Sequence, residues 1–392
     1  MNDNTAAGRE GAIGVLARLV ACPSISRNPN LELVDFSVER LKRLGFRVQV
    51  QQGSGDRANV FATLGPDDQP GLMLAGHSDV VPVEDQQWES DPFVLRRTDQ
   101  EVVGRGVADM KGFLAQVLLA AESWGCMPLT RPVHLAFTYD EEVGCSGAAQ
   151  LVEGMAQGQL PRPAYALIGE PTGYQVFRRH KGITLAKVVI TGVEGHSSNP
   201  HRGVSAIWAA ARLISWLEAL AEQLRQQALD DPDLEAPYTT LNVGMVQGGQ
   251  AYNIIPNRAE VMFEYRTPPG QDPQQVLQQV QAYVAQTLRP QLQGQDPRCN
   301  AVVVPVSQGL PMVTPAGGPL EVALLALTGQ ARAGAAPFFT EGALYNQAHI
   351  PSIICGPGEI HQAHRPNEAL SIQRLEQGLP LLQQLVARLC TT

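Results

Sequence analysis

The sequence predicts an α/β protein: a mixed, mostly parallel sheet with helices on both faces, plus an inserted ferredoxin-like α+β region. Three observations lead there. Strand-like and helix-like segments alternate before residue 183 and again after residue 308, the pattern of a sheet covered on both faces. Between residues 183 and 308 the order becomes β-α-β-β-α-β, the ferredoxin-like unit. And 392 residues exceed what one compact core usually holds. The expected division is therefore residues 1–182 with 309–392 as one domain, and 183–308 as the other.

The elements follow from local signals. Residues 34–44 have helical spacing and stop at Gly45, a C-cap signal. Residues 46–50 read as a strand. Residues 71–75 form a short apolar strand running into Gly76-His77-Ser78-Asp79. Residues 110–124 are helical and end at Gly125; residues 133–139 are β-rich and run into Asp140-Glu141-Glu142. Residues 164–168 are another apolar strand, ending at Gly169-Glu170-Pro171-Thr172. In the insert, strands are expected over 184–193, 239–246, 255–265 and 300–306, with helices over 204–225 and 273–288. A strand at 351–355 and a helix from about Ser371 return to the first pattern.

Composition narrows the function. Apolar residues make up 44% and charged residues 17%, as in ordinary globular chains. The formal net charge is -9, with no run of Lys and Arg, which excludes nucleic-acid binding through a basic patch. Asp3, Arg9, Glu10 and Arg18 break up the N-terminal segment, so no secretion signal is expected. No window is apolar for the length of a membrane span. The six cysteines are scattered, without a Cys-x-x-Cys pair, and read as reduced thiols of a cytoplasmic protein. Cys145 lies among acidic residues, which oppose a reactive thiolate.

Polar residues collect just after the C-terminal ends of the expected strands, where open α/β sheets place their ligand crevice. His77 ends one strand and Asp79 follows two residues later, so Asp79 can hold the second nitrogen of a metal-bound His77; a polar loop is the plainer alternative. Asp109 precedes a helix and could simply cap it. Asp140-Glu141-Glu142 places three adjacent carboxylates at the end of an apolar strand. They repel one another unless cations compensate, although a solvated acidic turn would look the same. Glu170 and His364 each follow a further strand. Together His77, Asp109, Glu142, Glu170 and His364 suit two zinc ions, one carboxylate bridging; the histidines argue against calcium. No Gly-x-Ser-x-Gly elbow, P-loop or His-Glu-x-x-His motif competes.

The segments Gly76-His77-Ser78-Asp79, Gly104-Arg105-Gly106-Val107-Ala108-Asp109-Met110-Lys111-Gly112, Asp140-Glu141-Glu142, Gly169-Glu170-Pro171-Thr172 and Gly195-His196-Ser197-Ser198 resemble the two-domain, two-zinc aminoacylase and carboxypeptidase-like hydrolases, along nearly the whole chain. The resemblance implies a zinc-exopeptidase-like catalytic domain, with residues 183–308 as a lid through which a homodimer forms. It implies two Zn2+, with Co2+ as a substitute, and Asp109 bridging. The preferred pairing is His77 with Glu170 and Glu142 with His364; an exchange of partners between the two sites is the alternative. It further implies that Asp79 orients His77, that Glu141 is the general base, and that the Asp109–Met110 peptide is cis. His196 of the partner subunit would stabilise the oxyanion, and Asn253 and Arg266 would hold the substrate carboxylate. His180-Lys181-Gly182, Thr340-Glu341 and Gln362-Ala363-His364 resemble most the branch that removes acetate from N-acetylornithine on the way to arginine. Glu341 is the expected acceptor of the substrate's side-chain ammonium. Another N-acyl amino acid, a dipeptide or N-succinyl-diaminopimelate is the alternative substrate, and a non-catalytic metal-binding relative is the alternative of another class.

Overall fold

The computed structural model describes residues 11–391; Asp3, Arg9 and Glu10, on which the absence of a secretion signal partly rests, lie outside them. The chain divides into two compact units, residues 1–179, 313–336 and 340–392 forming one, and residues 180–312 with 337–339 the other.

The larger unit is built on a mixed sheet. Its centre is parallel, in the order Val133–Thr138, Leu72–His77, Tyr165–Ile168, Ser352–Ile354. Ala58–Leu64, a strand that the spacing did not reveal, adds antiparallel to Val133–Thr138, and Arg47–Gln52 pairs antiparallel beyond it. The central strands are buried along their whole length, as continuous apolar runs in a doubly covered sheet should be. On one face, Leu72, Leu74, Val133, Leu135 and Phe137 enter a core shared with the helices Ala12–Val20, Lys111–Trp124 and Ile372–Cys390. The helices Ser146–Ala156 and Gly342–Gln347 contact each other and the sheet as well. Helix Lys111–Trp124 is buried nearly all round, which accounts for its almost uninterrupted apolar sequence. No helix among the described residues is long and apolar enough to cross a membrane.

The smaller unit has a four-stranded antiparallel sheet in the order Thr240–Gly248, Arg258–Arg266, Ile183–Thr191, Asn300–Gly309. Numbered along the chain this is strand order 2-3-1-4, and the helices Ala206–Arg225 and Gln274–Tyr283 complete the β-α-β-β-α-β succession. Alternate residues Ala186, Val188 and Ile190, with Val261, Phe263 and Tyr265, are buried against the helices. The period-2 pattern thus sends one side of each strand into the core.

Candidate metal centre

The parallel strands end together, and their last residues carry the chemistry. His77 closes Leu72–His77 and is 1% exposed. Its Nδ1 lies 2.9 Å from the main-chain oxygen of Asp79. A carbonyl only accepts, so Nδ1 carries hydrogen and the neutral ring turns the lone pair of Nε2 into the site. Nε2 lies 3.0 Å from Asp109 Oδ1 and 3.9 Å from Glu170 Oε1. The expected grip of the Asp79 carboxylate on His77 is corrected here: Oδ1 stands 3.7 Å from Nδ1. That carboxylate instead accepts from Ser26 Oγ at 2.7 Å and from the amide of Glu141 at 3.0 Å, so it anchors the acidic turn. Ser26 had no distinguishing sequence signal.

Asp109 faces two imidazoles with its two oxygens, Oδ1 toward His77 and Oδ2 3.4 Å from His364 Nε2. The Asp109–Met110 peptide is cis. Glu142 Oε2 is 3.0 Å from His364 Nε2. Candidate ligand atoms of His77, Glu141 and Glu170 lie within 4.8 Å of one another, as do those of His77, Asp109 and Glu142. The structure therefore brings His77, Asp109, Glu142, Glu170 and His364 into one cluster, with Glu141 beside it.

The electrostatics show what the cluster lacks. Burial, and then the charges of Asp109 and Glu141, push the Glu170 carboxyl well above its usual range. Burial, with Glu142, Glu341 and Asp79 adding to it, does the same at Glu141; burial and Asp109 raise Glu142. Bonds to Asp109 and Glu142 hold His364 protonated up to about 10. Burial works against a charged His77, yet Asp109, Glu170 and Asp79 raise it well above an ordinary imidazole. Each of these five groups holds its proton more tightly than usual; Asp109 is the exception, since burial works against its charge yet the bonds from His364 and His77 hold its carboxyl well below the usual range. Glu170 Oε1 is buried and, among the described residues, has no hydrogen-bond partner, a costly arrangement unless a cation meets it. Two imidazoles and three carboxylates so arranged could hold two divalent cations.

Around this cluster, Asp140 pairs with Arg57 and accepts from the amide of Arg27. Cys145 is buried, and burial with the charge of Glu141 raises its thiol well above normal, so it is no nucleophile. Glu341 requires a second correction. It is 0% exposed and accepts from Thr138 Oγ1 at 2.6 Å and Tyr345 Oη at 3.4 Å; burial lifts its carboxyl to about 7. Fully buried, with its oxygens taken up by these hydroxyls, it is not exposed to take a ligand's ammonium.

The remaining expected residues belong to the smaller unit. His196 pairs with Ile254, and the Ser197 amide donates to the carbonyl of Asn253 at 3.0 Å, so His196 and Asn253 are neighbours, both exposed. Arg266 ends Arg258–Arg266 opposite Thr240 and pairs with Glu264 at 3.2 Å. His196 and Asn253 lie beyond the Arg258 end. At about 3.3 Å per residue, that strand separates the two groups by roughly 26 Å. Asn253 and Arg266 of one chain therefore lie far apart along the sheet.

The comparisons with known proteins give the family of the chain. Residues 73–388 match the model of peptidase family M20/M25/M40. The chain belongs to that family. Among curated M20 relatives, the acetylornithine deacetylase of Myxococcus xanthus is 35% identical over 381 residues, covering 96% of each chain. Among solved structures, an M20 family metallo-carboxypeptidase from Sulfolobus solfataricus superposes with a TM-score of 0.77 at 19% identity, over 97% of this chain and 99% of that one. A Bacillus subtilis protein described as a dinuclear metal binding peptidase of the M20 family gives a TM-score of 0.68 at 17% identity, over 95% and 96%. At those identities the structural likeness speaks for the fold.

Proposed function

We propose that this M20 chain is a dinuclear zinc amidohydrolase that converts N-acetyl-L-ornithine to L-ornithine and acetate, a step toward arginine. The observation that carries the hydrolase reading is the cluster itself: five ligand-type side chains, among them Glu170 with a buried oxygen that has no hydrogen-bond partner among the described residues, with Glu141 alongside. The substrate reading is supported by the names of the curated relatives. The six cysteines are free, which suits a cytoplasmic enzyme.

His77, Asp109 and Glu170 would hold one cation, and Asp109, Glu142 and His364 the other, with Asp109 shared; Co2+ suits the same donors. Two zinc ions, when bound, supply the Lewis acidity that acidifies water and offsets negative charge on the reacting amide. Glu141 takes a proton from the attacking water at a carboxylate oxygen and returns it to the leaving amine nitrogen. Its raised proton affinity suits both transfers, and the Asp79 carboxylate fixes its main chain. His196 contributes from a second copy. Its Nδ1 accepts from the amide and hydroxyl of Ser198, at 3.2 and 2.7 Å. The neutral ring therefore carries its hydrogen on Nε2, which is the form that donates to an oxyanion. In a homodimer formed through residues 183–308, Arg266 of one chain and Asn253 with His196 of the partner subunit would meet the same substrate, a reading supported by their separation along the sheet within one chain.

A hydrolysis panel with metal analysis tests this. N-acetyl-L-ornithine should be cleaved faster than N-acetyl-leucine, N-succinyl-diaminopimelate and dipeptides, by protein carrying two zinc ions. A preference for dipeptides would assign the chain to the activity of its structural neighbours, and a chain that binds metal and cleaves nothing would make it a binding protein.

A further inference from the structure

His364 is an unusual ligand candidate. Its side chain is 53% exposed, and its backbone is left-handed at φ 64°. Its ring meets only carboxylates in the bonds that the cluster supplies, Glu142 at 3.0 Å and Asp109 at 3.4 Å, in contrast to His77 at a buried strand end. What fixes it is a polar network around a buried ion pair. Arg105 and Glu368 are each 1% exposed and meet at 2.9 Å. The Glu368 carboxylate also accepts from the amides of Gly106, Ala108 and Asp109, at 2.9, 2.8 and 3.0 Å. All four partners are donors, so the carboxylate is filled and the loop carrying Asp109 is wrapped around it.

The other half of the network reaches His364. The Arg105 guanidinium donates to the carbonyl of Arg365 at 3.2 Å and to Gln86 Oε1. Gln86 Nε2 donates to the carbonyl of His364 itself at 3.0 Å. Trp88 stacks under Arg105 at 5.0 Å and donates to the same Gln86 oxygen at 3.1 Å. One connected set of bonds thus runs from the Asp109 amide to the His364 carbonyl.

We propose that Glu368, Arg105 and Gln86 are positioning residues that set the span between Asp109 and His364, and so bear more on the cation position that uses both than on the one that uses Asp109 alone. The inference rests on the two-cation reading above. The Asp109–Glu142–His364 position depends on this clamp through two of its members, since the clamp holds the main chain of Asp109 and of His364. The His77–Asp109–Glu170 position depends on it through Asp109 alone, with His77 set at the end of a buried strand. The clamp acts through the two ligands it spans.

Calorimetric titration of zinc into metal-stripped protein decides it, on wild type, Glu368→Gln and Gln86→Ala. Gln at 368 keeps the shape but turns an NH2 toward amides that need an acceptor. Wild type should take up two zinc ions. Both variants should bind the second about 10–100-fold more weakly, the usual effect of losing a partner behind a ligand, with the first unchanged in Gln86→Ala and weakened less than the second in Glu368→Gln. Two zinc ions bound with wild-type affinity in the variants would overturn the clamp. So would equal weakening of both together with a lower melting temperature, which marks a merely structural role. If Glu368→Gln does not fold, Gln86→Ala, on a partly exposed side chain, decides alone. A wild-type chain binding fewer than two zinc ions would refute the two-cation reading, and this inference with it.

Discussion

In the larger unit the functional side chains are buried, crowded and short of positive charge; in the smaller unit they are exposed, sparse and spread to opposite ends of a sheet. His77, Asp109 and Glu170 are all at most 7% exposed, whereas His196 and Asn253 face solvent and Arg266 is occupied by Glu264. The first arrangement stores its cost in the fold: carboxylates are brought together against their repulsion, and a cation relieves them. The second stores nothing and becomes useful only when another surface arrives. The larger unit therefore reads as a preorganised centre and the smaller as a contributor to a shared site.

The largest effect should come from Glu141→Ala. Turnover should fall about 10²–10⁴-fold, the range for a lost proton-transfer group, while zinc analysis still finds the metal bound. An active variant would remove Glu141 from its role. His196→Ala should lower kcat about 10²–10³-fold, as for a lost oxyanion donor, again with metal retained. Mixing the Glu141→Ala and His196→Ala proteins under subunit exchange should restore activity, because the mixed dimer rebuilds one intact site; no recovery would mean that His196 acts within its own chain or not at all.

The smallest effect concerns stability. Without metal, Glu141, Glu142, Glu170, His77 and His364 all have raised proton affinities. Groups raised in the folded state stabilise below their unfolded values, about 4.3 for Glu and 6.5 for His, and lose that contribution as pH rises through the folded values. Metal-stripped protein should therefore melt at progressively lower temperature as pH rises from about 4.3 toward 10, where His364 gives up its proton. Zinc should flatten that slope. A metal-free melting temperature that rose over this window would contradict the charge shortage assigned to the centre.

The same contrast explains what the sequence made legible. An apolar run followed at once by His or Glu is a local pattern, so His77, Glu142 and Glu170 could be placed at strand ends without a structure, and the β-α-β-β-α-β order was readable from periodicity. Contacts set by pairing and burial were not. That Asn253 and Arg266 lie a full strand apart depends on which strands pair. That Glu341 is fully buried against Thr138 and Tyr345 depends on depth, which its motif does not encode. Asp79 was placed correctly beside His77, but its main chain and carboxylate exchange the expected tasks. Glu368 carries no signal of its own, since its partners are backbone amides far earlier in the chain.

The central claim is that two cations sit side by side in the cluster at the strand ends. Anomalous scattering at the zinc edge from crystals of the zinc-loaded protein tests it most directly. Two peaks should appear, one among His77, Asp109 and Glu170 and the other among Asp109, Glu142 and His364; a single peak, or peaks away from these side chains, would contradict it.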